Sequence, residues 1–224
     1  MQRLTDRRAA GRLLAEKLTA YADREDTVVL GLPRGGVVVA FEVAKALNAP
    51  LDVLLVRKLG APGQEELAFG AIASGGVRVM NEDVVRAFDL SQAQIEAVIA
   101  REQAELERRA RAYRGESPPP ELEGKTVIVV DDGLATGASM RTALRSLRAH
   151  GLKRLILAVP VAPASTCAAM AKEADEAICL MTPEPFYAIG QWYEDFFQTS
   201  DQEVVELLRE AASFGRTGAE GTQQ

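Results

Sequence analysis

Two adjacent carboxylates stand directly after an apolar run in the stretch VIVVDDGLATGASM, residues 127–140. The run predicts a buried strand with Asp131 and Asp132 at its carboxyl end. The loop of small residues that follows leads into a predicted helix. Its backbone N–H groups, its hydroxyls at Thr136 and Ser139, and the helix dipole all favour a phosphate. Because carboxylates repel phosphate but suit hydroxyls or Mg²⁺, the stretch predicts a sugar phosphate as ligand.

A second loop with similar properties is GLPRGG, residues 31–36, which also follows a predicted strand and precedes a predicted helix. Gly35 and Gly36 would let the backbone approach a ligand closely, and Arg34 offers a guanidinium fork to a phosphate oxygen. The alternative is a tight turn with an exposed arginine. The loop lacks the GxGxxG spacing, and the chain has no GxxxxGK[ST] motif, so nucleotide-binding loops of those two kinds are excluded.

Apolar strand-like runs alternate with helical patterns, which predicts an α/β fold whose parallel sheet is covered by helices on both faces. The predicted strands are 27–32, 51–59, 125–132, 154–162 and 176–182, with a further hairpin of 66–76 and 76–80. Residues 82–113 predict a charged and largely solvated helix. We therefore expect one domain over 1–224, with a helical insertion at about 82–120 and a C-terminal hood at about 183–200.

The composition restricts the class of protein. The chain has 224 residues, of which 47% are apolar, and its net charge of −6 argues against a nucleic-acid ligand. No run reaches the ~18–20 apolar residues of a membrane span. The N-terminal residues predict an amphipathic helix with Leu13, Leu14 and Leu18 on one face, without a signal-peptide core. Cys167 and Cys179 lack a metal-binding spacing, so we expect buried free thiols and a cytoplasmic protein.

The stretch VIVVDDGLATGAS resembles the 13-residue phosphoribosyl pyrophosphate (PRPP) motif of the type I phosphoribosyltransferases. That motif has four apolar residues, two acids, variable small or apolar residues, and then Thr-Gly with a small or hydroxyl residue. The resemblance implies that Asp131 and Asp132 hold the ribose hydroxyls. It implies that the 5′-phosphate lies on Ala135, Thr136, Gly137, Ala138 and Ser139.

The resemblance also implies a pyrophosphate site and a reaction. Pyrophosphate would bind Arg34, Gly35 and Gly36, helped by Arg57 and Lys58 at the end of the next strand, although those two could also be a solvated strand end. Phosphoribose would pass from PRPP to a nucleobase, with a purine expected. Asp131, Asp132, Arg34 and Lys58 are the expected catalytic residues, and Mg²⁺ would offset charge on the leaving group.

The C-terminal stretch PEPFYAIGQWYEDFFQ, residues 183–198, resembles the base-binding segment of purine-salvage enzymes. Phe186 or Tyr187 would stack on the base, and Glu194 or Asp195 would lie near the metal, giving Asp131, Asp132 and Asp195 as expected metal ligands. The alternative is that these aromatic residues belong to the core or to a subunit contact. Ala135 stands where hypoxanthine-guanine enzymes carry an acid, which favours an adenine-type base.

Two other functions are compatible with the same residues. One is a non-enzymatic regulator that senses PRPP or a nucleotide, with the arginine-rich segment 101–114 as a nucleic-acid surface that its glutamates weaken. The other is a phosphoribosyl hydrolase, or a transferase that acts on an amine other than a nucleobase. We expect PRPP and a nucleobase or nucleotide as partners, a homo-oligomer, and no membrane association.

Overall fold

The computed structural model describes residues 3–73, 78–115 and 117–215. The strands are β1 (Thr27–Gly31), β2 (Leu51–Val53), β3 (Val56–Ala61), β4 (Gln64–Ala73), β5 (Arg78–Met80), β6 (Thr126–Val130), β7 (Arg154–Val161) and β8 (Glu176–Met181). The helices are α1 (Arg7–Ala15), α2 (Gly35–Leu47), α3 (Glu82–Ala87), α4 (Gln92–Arg114), α5 (Ala138–Leu147), α6 (Ala164–Met170) and α7 (Asp201–Ala211).

The central sheet has five parallel strands in the order β2-β1-β6-β7-β8, which confirms the predicted α/β class. The inner strands β1, β6 and β7 are buried on both faces and are therefore mainly apolar, whereas the edge strand β2 contains Asp52 and the edge strand β8 is only partly buried. In β6, Val127 and Val129 pack toward α5 and α6, whereas Ile128 and Val130 pack toward α1 and α2. Each such side chain contributes about 1.5–3 kcal/mol by burial, so both helix layers are held to the sheet.

The predicted strand 51–59 is wrong, because the chain changes direction inside it. β2 ends at Val53, and β3 begins at Val56 in a separate antiparallel sheet of order β3-β4-β5. The connecting Leu54 and Leu55 are both buried, but Leu54 belongs to the core under α5 and Leu55 to the core under α4. The apolar residues of this run therefore pack into two different cores. A continuous apolar pattern does not reveal where β2 ends and β3 begins.

The interruption of the central sheet is larger and less helical than expected. It runs from Val56 to Arg114 and contains the small sheet as well as α3 and α4. The predicted hairpin is confirmed, since Gly70 of β4 pairs with Met80 of β5, although its turn at 74–77 lies outside the described residues. α4 is also less solvated than predicted. It buries Ile95, Val98, Ile99, Leu106 and Tyr113.

The first and last helices, α1 and α7, both pack against α2. α1 begins after Asp6, whose side chain accepts a hydrogen bond from the Ala9 N–H at 2.7 Å. Leu14 and Leu18 are buried as predicted, but Leu13 is 45% exposed because α1 turns a narrower face toward α2. α7 was not predicted.

No helix in the described parts of the chain is long and apolar enough to cross a membrane.

The prediction of two free thiols is wrong, because Cys167 of α6 and Cys179 of β8 form a disulfide. Their Cα atoms are 6.6 Å apart and their sequence separation is 12 residues. The spacing of the two cysteines did not indicate a bond, because the bond depends on how α6 packs against β8, the edge strand that follows α6. The bond removes free thiols as a reason to expect a cytoplasmic protein.

We predict that the double variant Cys167→Ser/Cys179→Ser unfolds more easily than the parent. A loop of this length should contribute about 3 kcal/mol by restricting the unfolded chain, although measured disulfides often give less. Urea denaturation should show the loss. As a control, dithiothreitol should lower the stability of the parent to that of the variant and leave the variant unchanged. Equal stability of parent and variant without reductant would contradict the bond.

Candidate functional site

The two loops singled out in the sequence meet at the carboxyl ends of neighbouring strands. β1 and β6 are adjacent and parallel, with Gly31 opposite Val130, so the segments 32–36 and 131–137 lie side by side. The chain order of the sheet reverses between these two strands, and such switch points are where open parallel sheets bind ligands. α2 and α5 both begin there, so two helix amino ends face one crevice.

Gly35 and Gly36 allow the first loop to lie directly against the acid pair. A Cβ on Gly35 would overlap Asp132 Oδ2 and stand 2.6 Å from Arg7 Nε, and one on Gly36 would stand 2.8 Å from Asp131 Cα. The glycines thus permit a close approach of the acid loop, whereas their predicted approach to a ligand stays a prediction. The peptide bond between Pro33 and Arg34 is cis.

The acid pair is tied to the protein through several polar contacts. Asp131 Oδ1 accepts the Asp132 N–H at 2.8 Å, and Asp132 Oδ2 accepts Arg7 Nε–H at 2.8 Å. The Tyr193 hydroxyl donates to the Asp132 carbonyl oxygen at 2.6 Å. Burial and the neighbouring Asp132 charge raise the pKa of Asp131 well above its usual value. Burial also raises the pKa of Asp132, against the opposing hydrogen bond from Arg7.

The second loop presents backbone and hydroxyl groups to solvent. Ala135, Thr136, Ala138 and Ser139 are exposed, whereas Gly137 is buried with a φ of +71°, a conformation that suits glycine. α5 has no acidic residue in its first turn, so its free amides keep a positive potential. These features fit a bound phosphate. The Thr166 hydroxyl of α6 donates to the Ala135 carbonyl at 2.9 Å and holds the loop from below.

The three predicted basic residues differ in their surroundings. Arg34 is half-buried directly before Gly35, and its guanidinium has no hydrogen bond or ion pair within 3–73, 78–115 and 117–215, although its charge acts on the Tyr113 hydroxyl of α4. Arg57 and Lys58 lie on β3, so the prediction that they end a central strand is wrong. Arg57 is held by Glu102 of α4, with Nε and Oε2 2.8 Å apart. Burial opposes the charge of Glu102, but hydrogen bonds from Arg57 and Arg101 outweigh it and lower its pKa.

The aromatic residues of the C-terminal hood, residues 183–200, also separate into two kinds. Phe186 stacks on Trp192 with ring centroids 6.3 Å apart, as the core alternative predicts for it. Tyr187 is 82% exposed. The hood packs onto the acid loop, since Ile189 Cγ2 lies 2.6 Å from the position that a Cβ on Gly133 would take. Of Phe186 and Tyr187, Tyr187 is therefore the accessible one; Phe197 of the hood is exposed as well.

A complete metal site made by the protein is not present in the described residues. They contain no group of three or more His, Cys, Asp or Glu side chains that could hold an ion. Asp195, expected beside Asp131 and Asp132, instead accepts the Phe197 N–H at 3.1 Å, and the structure does not join it to them. The acid pair alone still fits Mg²⁺, because this ion is usually bound by one or two carboxylates together with phosphates of the substrate.

Arg7 is the one charged residue among three site residues that the sequence did not reveal, the others in the described parts being Tyr193 and Thr166. Its side chain is only 12% exposed and its partner Asp132 only 13%. The segment TDRRAAGR contains three arginines, and a helical pattern places them all on a polar surface. No feature of the single sequence distinguishes Arg7 from Arg8 or Arg12.

Two cavities, of about 560 and 600 Å³, lie away from the acid pair around the ion pair of Asp52 and Arg114. Arg114 Nε is 2.7 Å from Asp52 Oδ2, and Arg114 also donates to the Val53 carbonyl at 2.9 Å. These charges neutralise each other. The cavities therefore offer less for a phosphate than the crevice between α2 and α5.

The chain belongs to the phosphoribosyltransferase family, since the family model described as phosphoribosyl transferase domain matches residues 2–186. This confirms the resemblance seen in the PRPP motif. Over 220 residues the chain is 51% identical to two Mycobacterium tuberculosis proteins, "Putative phosphoribosyl transferase Rv0571c" of strain H37Rv and "Putative phosphoribosyl transferase MT0597" of strain CDC 1551. These alignments cover 98% of the chain but 49% of each relative, so the chain spans about half the length of the curated relatives it matches.

The fold also has a solved counterpart. The structure of TT1426 from Thermus thermophilus superposes with a TM-score of 0.83 and 44% sequence identity. The match covers 95% of this chain and 100% of TT1426. The two proteins therefore share their overall fold over nearly all of this chain.

We predict that Gly35→Ala lowers the affinity for ribose 5-phosphate by at least tenfold. The added Cβ must displace the Asp132 carboxylate or Arg7, and such overpacking costs about 1–3 kcal/mol. Isothermal titration calorimetry would measure the affinity. Gly124→Ala is the control, because Gly124 has a φ of +69° at the opposite end of β6 with nothing within 4 Å of a Cβ. The control should lose stability but bind ligand as the parent does.

Proposed function

We propose that this chain is a Mg²⁺-dependent phosphoribosyltransferase that moves phosphoribose from PRPP to a nucleobase, with release of pyrophosphate. One observation carries the proposal: the PRGG loop lies directly against the acid pair, beneath the amino ends of α2 and α5. Hydroxyl acceptors and a loop suited to phosphate thus lie in one crevice, and Arg34, which has no ion pair in the described residues, directly precedes the glycines that line it. PRPP requires this combination, because it carries ribose hydroxyls between a phosphate and a pyrophosphate.

Each part of PRPP has a group suited to it. The carboxylates of Asp131 and Asp132 would accept hydrogen bonds from the ribose hydroxyls, which are charge-assisted and therefore strong. The amides of 135–139 and the hydroxyls of Thr136 and Ser139 would bind the 5′-phosphate. Arg34, which has no other partner among the described residues, would bind the pyrophosphate together with the amides of Gly35 and Gly36.

The transfer needs charge stabilisation rather than a covalent intermediate. The bond between ribose C1 and the pyrophosphate oxygen breaks, the pyrophosphate leaves with the electron pair, and a base nitrogen bonds to C1 and releases its proton to water. Arg34 would stabilise the charge that develops on the leaving oxygen. Arg57 is held by Glu102, so we assign it a supporting role, and Lys58 remains a proposed contact of the pyrophosphate. Mg²⁺, bound with the pyrophosphate, would neutralise further charge there.

Tyr187 is the better of the two residues proposed to contact the base. Its exposed ring is available for stacking, whereas Phe186 is already stacked on Trp192. A purine remains the proposed base, and the absence of an acid at Ala135 favours an adenine-type ring. A homo-oligomer and a cytoplasmic location remain predictions from the sequence.

The regulator alternative receives less support. The arginines of α4 are partly neutralised, since Arg108 and Arg109 share the carboxylate of Glu105 and Arg101 shares Glu102 with Arg57. A nucleic-acid surface needs such cations free to meet phosphates. A sensor that binds PRPP without turning it over is still distinguished from the enzyme by one product, pyrophosphate.

The proposed reaction is tested with PRPP, Mg²⁺ and a panel of purine and pyrimidine bases. We expect pyrophosphate release that requires a base, and we expect Asp132→Asn to lose about 1.5–3 kcal/mol of PRPP binding through the weakened ribose contacts. A coupled pyrophosphate assay and calorimetry give the two quantities. Tight PRPP binding without release for any base would support the sensor instead, and release without any base would indicate a hydrolase.

Arg34→Ala separates the pyrophosphate site from the ribose site. We expect PRPP affinity to fall at least tenfold while ribose 5-phosphate, which lacks pyrophosphate, binds nearly as before. Arg12→Ala is a suitable control, because Arg12 is exposed on α1 and forms only a loose ion pair, with 3.7 Å between its nitrogen and the Glu42 oxygen. Equal losses for both ligands would mean that Arg34 only shapes the loop.

A further inference from the structure

The guanidinium of Arg7 joins parts of the chain that are distant in sequence. Its Nε donates to Asp132 Oδ2 at 2.8 Å, and the same ion pair lies against Gly35. A terminal nitrogen of Arg7 donates to the Phe197 carbonyl at 2.7 Å. The acid loop, the PRGG loop and the hood therefore meet on one side chain that comes from α1.

The hood is also fixed to the N-terminal residues around Arg7. The Arg7 guanidinium carbon lies 3.8 Å from the centroid of the Phe196 ring, a favourable cation–π geometry. The Leu4 N–H donates to the Trp192 carbonyl at 2.9 Å, and the Glu194 N–H donates to the Leu4 carbonyl at 2.8 Å. Residues 192–197 are thus bonded to the N-terminal residues through their backbone. Arg7 connects this paired segment to Asp132.

We infer that Arg7 is a positioning residue that holds the Asp132 carboxylate in place for the ribose and links that carboxylate to the hood. The inference rests on the proposed function. Arg7 can do this because its planar fork offers separate donors to Asp132 and to the Phe197 carbonyl. A lysine offers one compact head and could keep only one of these two contacts in the same geometry.

The inference predicts a distinct pattern of losses for three ligands. Arg7→Met should bind ribose 5-phosphate about tenfold more weakly, because Asp132 loses its orientation. It should bind adenosine 5′-monophosphate more weakly still, because the hood loses its anchor as well. Inorganic pyrophosphate is proposed to contact neither Asp132 nor the hood, so it should bind to Arg7→Met as it does to the parent. Calorimetry on the full chain gives all three affinities.

Further variants test the contact of Arg7 with Asp132 separately from its contact with the hood. Arg7→Lys should recover part of the ribose 5-phosphate affinity but not the additional loss for the nucleotide. Phe196→Leu removes the ring under Arg7 without touching the acids, so it should weaken the nucleotide and leave ribose 5-phosphate unchanged. These two variants carry the test if Arg7→Met does not fold. Arg12→Met, on the exposed face of the same helix, is the matched control and should bind all three ligands like the parent.

Several outcomes would overturn the inference. An equal loss for all three ligands would show that Arg7 only stabilises the fold, and unchanged binding of ribose 5-phosphate and nucleotide by Arg7→Met would show no role at all. Either result leaves the proposed function intact, because the parent still binds. A parent chain that binds neither ribose 5-phosphate nor PRPP would overturn the proposed function and this inference together.

Discussion

The burial of two adjacent carboxylates is the constraint around which this site is built. Asp131 and Asp132 lie at the end of a fully buried strand, where burial raises the pKa of both side chains. Two like charges in such a place need a nearby cation, and Arg7 supplies it. Removing one partner of a buried pair typically costs about 3–5 kcal/mol, because the other charge is left uncompensated. The N-terminal helix is therefore part of the site, and its attachment to α2 matters for the ligand.

Much of the fold and half of the site could be predicted because they depend on local patterns. Strands buried on both faces give continuous apolar runs, and the acid pair, the PRGG loop and the small-residue loop are contiguous in sequence. Arg7 and the disulfide of Cys167 and Cys179 could not be predicted, because each depends on contacts between segments that the sequence does not relate. The turn between β2 and β3 was hidden for another reason, since Leu54 and Leu55 are apolar for two different cores.

The small sheet and α4 change how the basic residues Arg57 and Lys58 are interpreted. In the sequence, Arg57 and Lys58 looked like free charges at a strand end. In the fold they lie on β3, where Arg57 meets the buried Glu102 of α4. Burying Glu102 requires a partner, so Arg57 is explained by the packing of α4 without a ligand. Arg34, which has no such partner in the described residues, is left as the arginine whose position calls for an anion.

The two halves of the proposed PRPP site are supported from opposite sides of the sheet. The acids are held from the α1 side by Arg7, and by Tyr193 of the hood. The phosphate loop is held from the other side by α6, where Thr166 binds the Ala135 carbonyl and Met170 packs under Gly137. α6 has only seven residues, and the disulfide fixes it to β8. Because the supports are separate, a change at one should alter the contacts of one half of PRPP before the other.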